Sequence, residues 1–488
     1  MNCRIICILI LMLSSFVLGS CKKLVEVDGP ATSVSSKNVY NNDATAIGAI
    51  TSLYVNLSTG SSVGLQELSG LSCIAGLSAD EFDYYSGVED QNLAIYYQND
   101  LNSLNVGVGN DFWGRTYQRL YAVNEALEGL GLSKSLTPII KQHLTGEAYF
   151  MRAFYYFYLV NLYGNVPLVL STDYKVNAVI KRVSKVVVYD QIIADLKAAQ
   201  SLLGSGYLKG DGITEYSLGS EERVRPNKWA ATALLGRIYL FMGRWADAEA
   251  ATTAVLSNHT SFQLESLDKV FLKNNREAIW QLQPTGIGFN TQEAQVFIIP
   301  DEGPSIYNPV YLSGELIKDF EIGDQRKISW IASVNANETI FYYPYKYKVR
   351  SSSLTNALVT EYSAVLRLAE LYLIRAESRA RLGNLPDAIS DVDQIRNRAG
   401  LPLIKNVNPN INQGGLVTLI LKEKRIEFFT EWGHRWLDLK RTGKVDEVMA
   451  KVTPKKSNGG TWKSYQQYYP INSFELQSNP SLTQTEGY

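Results

Sequence analysis

Apolar side chains recur along most of this chain at steps of three and four, the spacing of a helix face. A first stripe predicts a helix near Asn42–Leu57 and a second one over Phe112–Leu130. The third, Thr137–Leu162, carries Pro138 at its first helical position, where the missing N–H removes nothing the helix needs. Within it Tyr149, Phe150, Ala153, Phe154, Tyr156 and Phe157 fill two adjacent faces. A helix apolar most of the way round is a buried one. Gly164 ends it, with Pro167 just beyond.

Two segments share one pattern. In Trp229–Ser257, Trp229, Ala233, Gly236 and Leu240 form a stripe, Gly243 turns the chain, and Ala248, Ala251, Thr252 and Val255 form the next stripe. In Leu366–Ala399, Leu366, Ala369, Leu373, Ala376 and Ala380 precede Gly383, and Ala388, Val392, Ile395 and Ala399 follow, with Gly400 and Pro402 closing the unit. Both place Asp-Ala four and five residues after the turn glycine. Small residues at the contact and a glycine at the turn are the grammar of tetratricopeptide-like helix pairs. The copies are about 140 residues apart and do not form a tandem array. A further helix is expected over Leu416–Glu431. Its charges, read as the spacings Glu431–Arg435 and Arg435–Asp438, suggest a structural ion network rather than catalysis.

Two stretches lack this order. Residues 58–110 are rich in glycine, and residues 261–360 show only short alternating runs, Glu277–Gln283 and Thr339–Tyr347, that suggest a few strands. Aromatic side chains crowd the second stretch. Long loops on a rigid scaffold are where binding surfaces usually sit.

The N-terminus supplies an address. One Arg, Arg4, precedes an apolar run from Ile5 to Leu18, fourteen residues, too short to span a bilayer and suited to a signal peptide. It ends in Leu18-Gly19-Ser20-Cys21, small residues directly before a Cys, the pattern of a bacterial lipobox. Residues 1–20 are thus read as a lipoprotein signal peptide, and residues 21–41 as the lipidated Cys21 and a polar tether. Acyl chains on Cys21 would anchor the chain in a bilayer. No other stretch reaches eighteen consecutive apolar residues.

Composition narrows the chemistry. The 488 residues hold 47 Lys+Arg against 48 Asp+Glu, a net charge of −1, which offers no electrostatic footprint for nucleic acid. Only three His are present, which thins out zinc sites and His-based catalysis. Cys3 and Cys7 leave with the signal peptide, so Cys73 has no intramolecular disulfide partner and reads as a buried thiol. The run Gly60-Ser-Ser-Val-Gly64 matches a nucleophile elbow but lacks the preceding strand. Asp80, Glu81 and Asp83 could hold Ca²⁺, although a solvated acidic loop is the simpler reading. No metal, cofactor or catalytic residue is assigned. Tyr is abundant at 30. A flat aromatic covers the apolar C–H face of a sugar, and polar neighbours satisfy its hydroxyls.

The phrases Asp111-Phe-Trp-Gly-Arg115, Gly146-Glu-Ala-Tyr-Phe-Met-Arg152, Leu162-Tyr-Gly-Asn-Val-Pro-Leu168 and Arg225-Pro-Asn-Lys-Trp229 resemble the SusD/RagB family of outer-membrane lipoproteins from glycan- and peptide-foraging bacteria. Further matches are Leu366-Arg-Leu-Ala-Glu-Leu-Tyr-Leu-Ile-Arg-Ala-Glu377, Arg396-Asn-Arg-Ala-Gly400, Lys424-Arg-Ile-Glu427 and Gly433-His-Arg-Trp-Leu-Asp-Leu-Lys-Arg-Thr-Gly443. The ending through Gly487-Tyr488 is also similar, departing at Asn472 and Thr485-Glu486.

The resemblance covers nearly the whole chain. It implies a mainly α fold over residues 42–488: a tetratricopeptide-like scaffold with helical repeats at about 112–165, 227–258 and 364–443, a loop-rich insertion and a few short strands. It implies no enzymatic activity. The expected role is capture of oligo- or polysaccharide at the cell surface and delivery to a SusC-like TonB-dependent outer-membrane transporter. Oligopeptide capture, or a surface glycoside hydrolase, are the alternatives. The family's ligand aromatics come from the early loops and from the segment after the middle repeat. That points to Tyr84, Tyr85, Tyr96, Tyr97, Phe289, Tyr307, Trp330, Tyr342 and Tyr343, each with core packing as the competing role. Trp113, Trp229, Trp280, Trp432 and Trp436 are assigned to packing.

Overall fold

A computed structural model describes residues 36–58, 70–88, 91–104, 109–286, 290–350 and 359–488. Its architecture is mainly α. The expected helices form with boundaries shifted by a few residues: α1 (Asp43–Ser58), α3 (Gly109–Leu132) and α4 (Pro138–Tyr163). Between α1 and α3 lies α2 (Leu71–Ser78), every residue of which is buried. Helix α5 (Lys185–Leu202), which the sequence reading did not anticipate, packs along α4.

Helix α4 is the centre of the molecule. It is apolar all round because neighbours cover it from several sides, α1, α3 and α5 among them. Phe154 on its inner face meets Trp280 at 5.0 Å and Trp432 at 5.8 Å between ring centroids, both edge to face. Such pairs favour one packing arrangement over others. Gly164 takes a left-handed φ of 77° and ends the helix.

The repeated pattern folds as two helix pairs, α6 (Lys228–Phe241) with α7 (Trp245–Leu256) and α8 (Leu368–Arg381) with α9 (Leu385–Arg398). A Cβ placed on Gly236 would come within 2.9 Å of Thr252, so glycine sets the closeness of the first pair. The pairs are distant in sequence yet stacked in space, α7 against α8. Arg379 joins Glu249 at 2.8 Å, and Arg237 on α6 joins Glu370 on α8 at 2.5 Å. The chain leaves the repeat scaffold after α7 and re-enters it at α8. The intervening segment is where the aromatic side chains lie.

Helix α10 (Gln413–Glu427) stops four residues before the expected Glu431. Tertiary partners take the backbone donors that would continue it. Thr430 N–H donates to the Glu81 carboxyl and Trp432 N–H to the Ser72 hydroxyl. Thr430, Trp432 and Gly433 all have positive φ, and α11 (His434–Arg441) and α12 (Val445–Val452) then run on.

The strands pair in twos, all antiparallel. β1 (Phe82–Tyr84) pairs with β3 (Val310–Leu312). β2 (Ala278–Leu282) pairs with β6 (Ser363–Arg367), both buried along their length. β4 (Ile331–Ala336) and β5 (Thr339–Pro344) form a hairpin turned by Asn337 and Glu338, both in the left-handed region that tight hairpin turns require.

The expected ion network exists, with different pairs from those the spacing suggested. Glu431 turns inward to Lys346 and Arg367, Arg435 binds Asp80, and Asp438 binds Lys424 and Arg441. The helix break at Phe428 undoes the i,i+4 geometry of Glu431–Arg435, and Arg435 and Asp438, although on one helix, are taken by Asp80 and by Lys424 and Arg441. Glu427, fully buried, accepts from Arg326, Arg367 and Arg398. Burial pushes against its charge, and the three guanidiniums outweigh that and hold its carboxyl below the usual range.

Candidate binding surface

The β1–β3 ribbon carries the early loops to the long insertion. Asp83 lies opposite Tyr311, and Tyr85 N–H donates to the Pro309 carbonyl at 2.8 Å. Alternation along β1 turns Phe82 and Tyr84 into the core and leaves Asp83 and Tyr85 on the other side. The β4–β5 hairpin lies against this outer side. Its Phe341 is an apolar anchor, contacted edge-on by Tyr85 at 5.9 Å and by Tyr311 at 5.1 Å. Tyr343 follows on the same face, opposite Ala332, with Tyr345 edge-on to it at 6.1 Å.

Tyr85, Tyr311 and Tyr343 are therefore half-buried, seated on a small apolar cluster of Ile299, Ala336 and Phe341 and open to solvent above it. The 300–303 turn approaches closely here: a Cβ at Gly303, whose φ is 97°, would come within 2.7 Å of Ala336. Burial raises the Tyr343 hydroxyl pKa, and the neighbouring Tyr345 and then Asp301 add to it. Tyr307, 61% exposed, lies two residues before Pro309. Tyr342, 38% exposed, projects from the hairpin's other face opposite Ser333.

The remaining expected platforms sit elsewhere. Trp330 is fully buried and donates its indole N–H to the Leu267 carbonyl at 2.9 Å. Tyr96 packs edge-on against Tyr469, and Tyr97 donates its hydroxyl to Asp83 at 3.1 Å. Tyr84 packs on Tyr97. A buried ring has no free face for a sugar, so Tyr84, Tyr96, Tyr97 and Trp330 are packing residues. For the three tyrosines the physical reason is that the glycine-rich stretch holds buried helices, α2 and Gln91–Tyr97, rather than loops alone; Trp330 ends a short helix, Gln325–Trp330, that turns it into the core. Phe289 and Gly60–Gly64 lie outside the described residues. Tyr311 was missed in the sequence. Its only signal was alternation with the apolar Val310 and Leu312, too short a run to read as a strand.

The acidic run is no solvated loop. Asp80 binds Arg435 through two contacts of 2.8 Å and Arg425 at 2.9 Å. Burial alone would raise its carboxyl, and the two arginines outweigh it and bring it to about 2. Glu81, buried beside it, is pushed up to about 7 by burial and by the charge of Asp80. Among the described residues no group of three or more His, Cys, Asp or Glu is disposed to hold a metal ion. Cys73 is buried, and burial pushes its thiol up, away from nucleophilic form. Trp113, Trp280, Trp432 and Trp436 are buried as assigned, and Trp229 is partly buried against the same core.

A family model described as the SusD family matches residues 314–488, and one described as starch-binding associating with outer membrane matches residues 77–240. The chain belongs to the SusD family. SusD-like protein P2 of Formosa agariphila is 26% identical over 479 residues, covering 88% of this chain and 89% of the relative. A SusD superfamily protein from Bacteroides vulgatus superposes with a TM-score of 0.77 at 22% identity, over 92% of this chain and 99% of the other. The surface glycan-binding protein A from Bacteroides uniformis superposes at 0.75 with 22% identity, over 91% and 99%. These likenesses establish a SusD fold. The two family matches bracket the surface described above, one containing β1 and Tyr85, the other the β4–β5 hairpin.

Proposed function

We propose that this protein is a non-catalytic capture lipoprotein that binds oligosaccharide at the cell surface and passes it to a SusC-like TonB-dependent outer-membrane transporter. One observation carries the binding reading. Tyr85, Tyr311 and Tyr343, from three separate strands or strand ends, are seated on one apolar anchor with their outer parts open. Tyrosine spends little conformational entropy on being held and offers both an apolar face and a hydroxyl. The family description, starch-binding associating with outer membrane, and the glycan-binding relative from Bacteroides uniformis support the same ligand class.

Tyr307, on the turn before β3, extends the surface, and Tyr342 stands on the opposite face of the hairpin. Cys21 supplies the lipid anchor after removal of residues 1–20, residues 21–41 form the tether, and residues 42–488 form the binding unit. Weak sites beside a tethered transporter gain from effective concentration, so individually modest stacking contacts suffice.

Calorimetry against panels of oligosaccharides and oligopeptides, with the products separated afterwards, tests this. Heat on adding an oligosaccharide that is recovered intact supports capture. Heat with peptides alone moves the chain to peptide capture, and shortened oligosaccharide makes it a hydrolase.

A further inference from the structure

We propose that a cleft where the end of α4 meets the C-terminal tail is a second binding site, sharing no residue with the tyrosine surface, and that its ligand is a saccharide carrying a carboxylate. The cleft has a volume of about 780 Å³. Small-molecule sites run from about 300 to 1,000 Å³, so there is room for more than a lone ion. The lining comes from three stretches of chain: Tyr163–Asn165, Arg182 with Lys185, and tail residues that include Tyr465, Tyr468 and Glu486.

Charge is unbalanced here. Arg182 donates to the backbone carbonyls of Tyr163, Asn165, Thr483 and Gln484, at 3.4, 2.6, 3.1 and 2.7 Å. These bonds tie the tail to the end of α4, but the oxygens are uncharged and the guanidinium keeps its full positive charge. The Lys185 ammonium has one hydrogen bond, to the Asn161 side-chain oxygen at 3.3 Å. Lys440 donates to the Asn161 carbonyl and stands 4.5 Å from the Tyr468 ring centroid. Among the described residues no carboxylate pairs with any of the three cations. Burial lowers the pKa of Lys185 and of Arg182, and for Lys440 the charge of Lys185 adds to burial. An incoming carboxylate would relieve both effects. Glu486, the one carboxylate among the lining residues, is exposed and bonded to neither Arg182 nor Lys185.

Helix α5 adds to the field. It runs 18 residues from Lys185, and its N-cap, Ser184, makes no side-chain cap bond. Lys185 N–H donates to the Asn165 side chain, so the positive end of the helix opens at the cleft. The saccharide part of the assignment rests on the aromatic lining. Tyr465 and Tyr468 are half-buried, Tyr465 held edge-on by Tyr488 at 4.7 Å, with Gln467 between them in sequence. Rings, an amide and unpaired cations together match the C–H face, the hydroxyls and the carboxylate of a sugar acid.

The test is calorimetry on the purified protein with trigalacturonate and trimannuronate, each against its methyl ester. At least one acid should bind about tenfold more tightly than its ester, and less so in high salt. Lys185→Gln should remove most of that preference, and Lys185→Arg should keep it. Glu486→Gln, at an exposed position, should tighten the acid about two- to threefold. Tyr85→Ala/Tyr343→Ala should leave the preference unchanged. Equal affinity of acid and ester for both sugars overturns the proposal, as does a preference that survives Lys185→Gln or disappears with the tyrosine pair. Should Lys185→Gln lower the melting temperature too far for titration, Glu486→Gln decides, and unchanged affinity for the acid overturns the proposal. Neutral oligosaccharide capture at the tyrosine surface stands or falls separately, on its own ligand panel.

Discussion

Tyr85 meets Phe341 edge-on, with ring centroids 5.9 Å apart and planes at 89°, although 256 positions separate them in the chain. Phe341 also receives Tyr311, so one buried ring orients two half-open ones. Tyr85→Ala or Tyr343→Ala should weaken binding of a proven oligosaccharide ligand by about 1–2 kcal/mol each, roughly tenfold in Kd. Their melting temperatures should stay near wild type, because both rings are partly solvated. Unchanged affinity in both variants would place the ligand elsewhere.

Trp330 should behave in the opposite way. It is fully buried, with Lys346 4.9 Å from its ring centroid. Trp330→Ala should lower unfolding free energy by about 3–5 kcal/mol, measured by urea titration. Ligand affinity of the remaining folded fraction should change little.

The buried ion network rests on Glu427. Glu427→Gln removes the charge facing Arg326, Arg367 and Arg398 and leaves those guanidiniums short of compensation. Destabilisation of about 3–5 kcal/mol is expected. Glu447→Gln, an exposed partner of Lys444 and Lys451, should leave the urea midpoint near that of wild type.

Stability should peak in mildly acidic solution. Asp80 falls from 3.8 unfolded to about 2 folded, so its contribution is present above pH 4 and lost as pH drops toward 2. Glu81 and Glu293 rise from 4.5 to about 7, both pushed up chiefly by burial. Their folded forms prefer the proton, so their contribution is complete below pH 4.5 and lost as pH rises to 7. Denaturant midpoints measured from pH 3 to 7 should therefore pass through a maximum near pH 4–5. Glu293→Gln should flatten the limb above it. A midpoint that climbs steadily to pH 7 in the wild type would contradict this assignment.

Local pattern was enough for the scaffold. The helix pairs around Gly243 and Gly383 and the all-apolar Pro138–Tyr163 helix were legible because their signals, 3.6-residue periodicity, turn glycines and proline at a helix start, lie within a few residues of one another. The binding surface was legible only as two regions. Which tyrosines are open depends on the pairing of β1 with β3, strands of three residues each, separated by more than 220 positions. Strands that short carry almost no periodic signal of their own.

The same limit explains the ion pairs. Spacing along one helix proposes partners three and four residues apart, but the break after Glu427 sends Glu431 to Lys346 and Arg367 instead. Periodicity set where the long amphipathic helices form and which of their faces must be covered, since every apolar stripe has to be buried somewhere. Whether a tyrosine is buried or stays partly open turns on what covers each ring, and that is a property of long-range contacts: Tyr96 is buried against Tyr469, while Tyr343, opposite Ala332, stays half-buried.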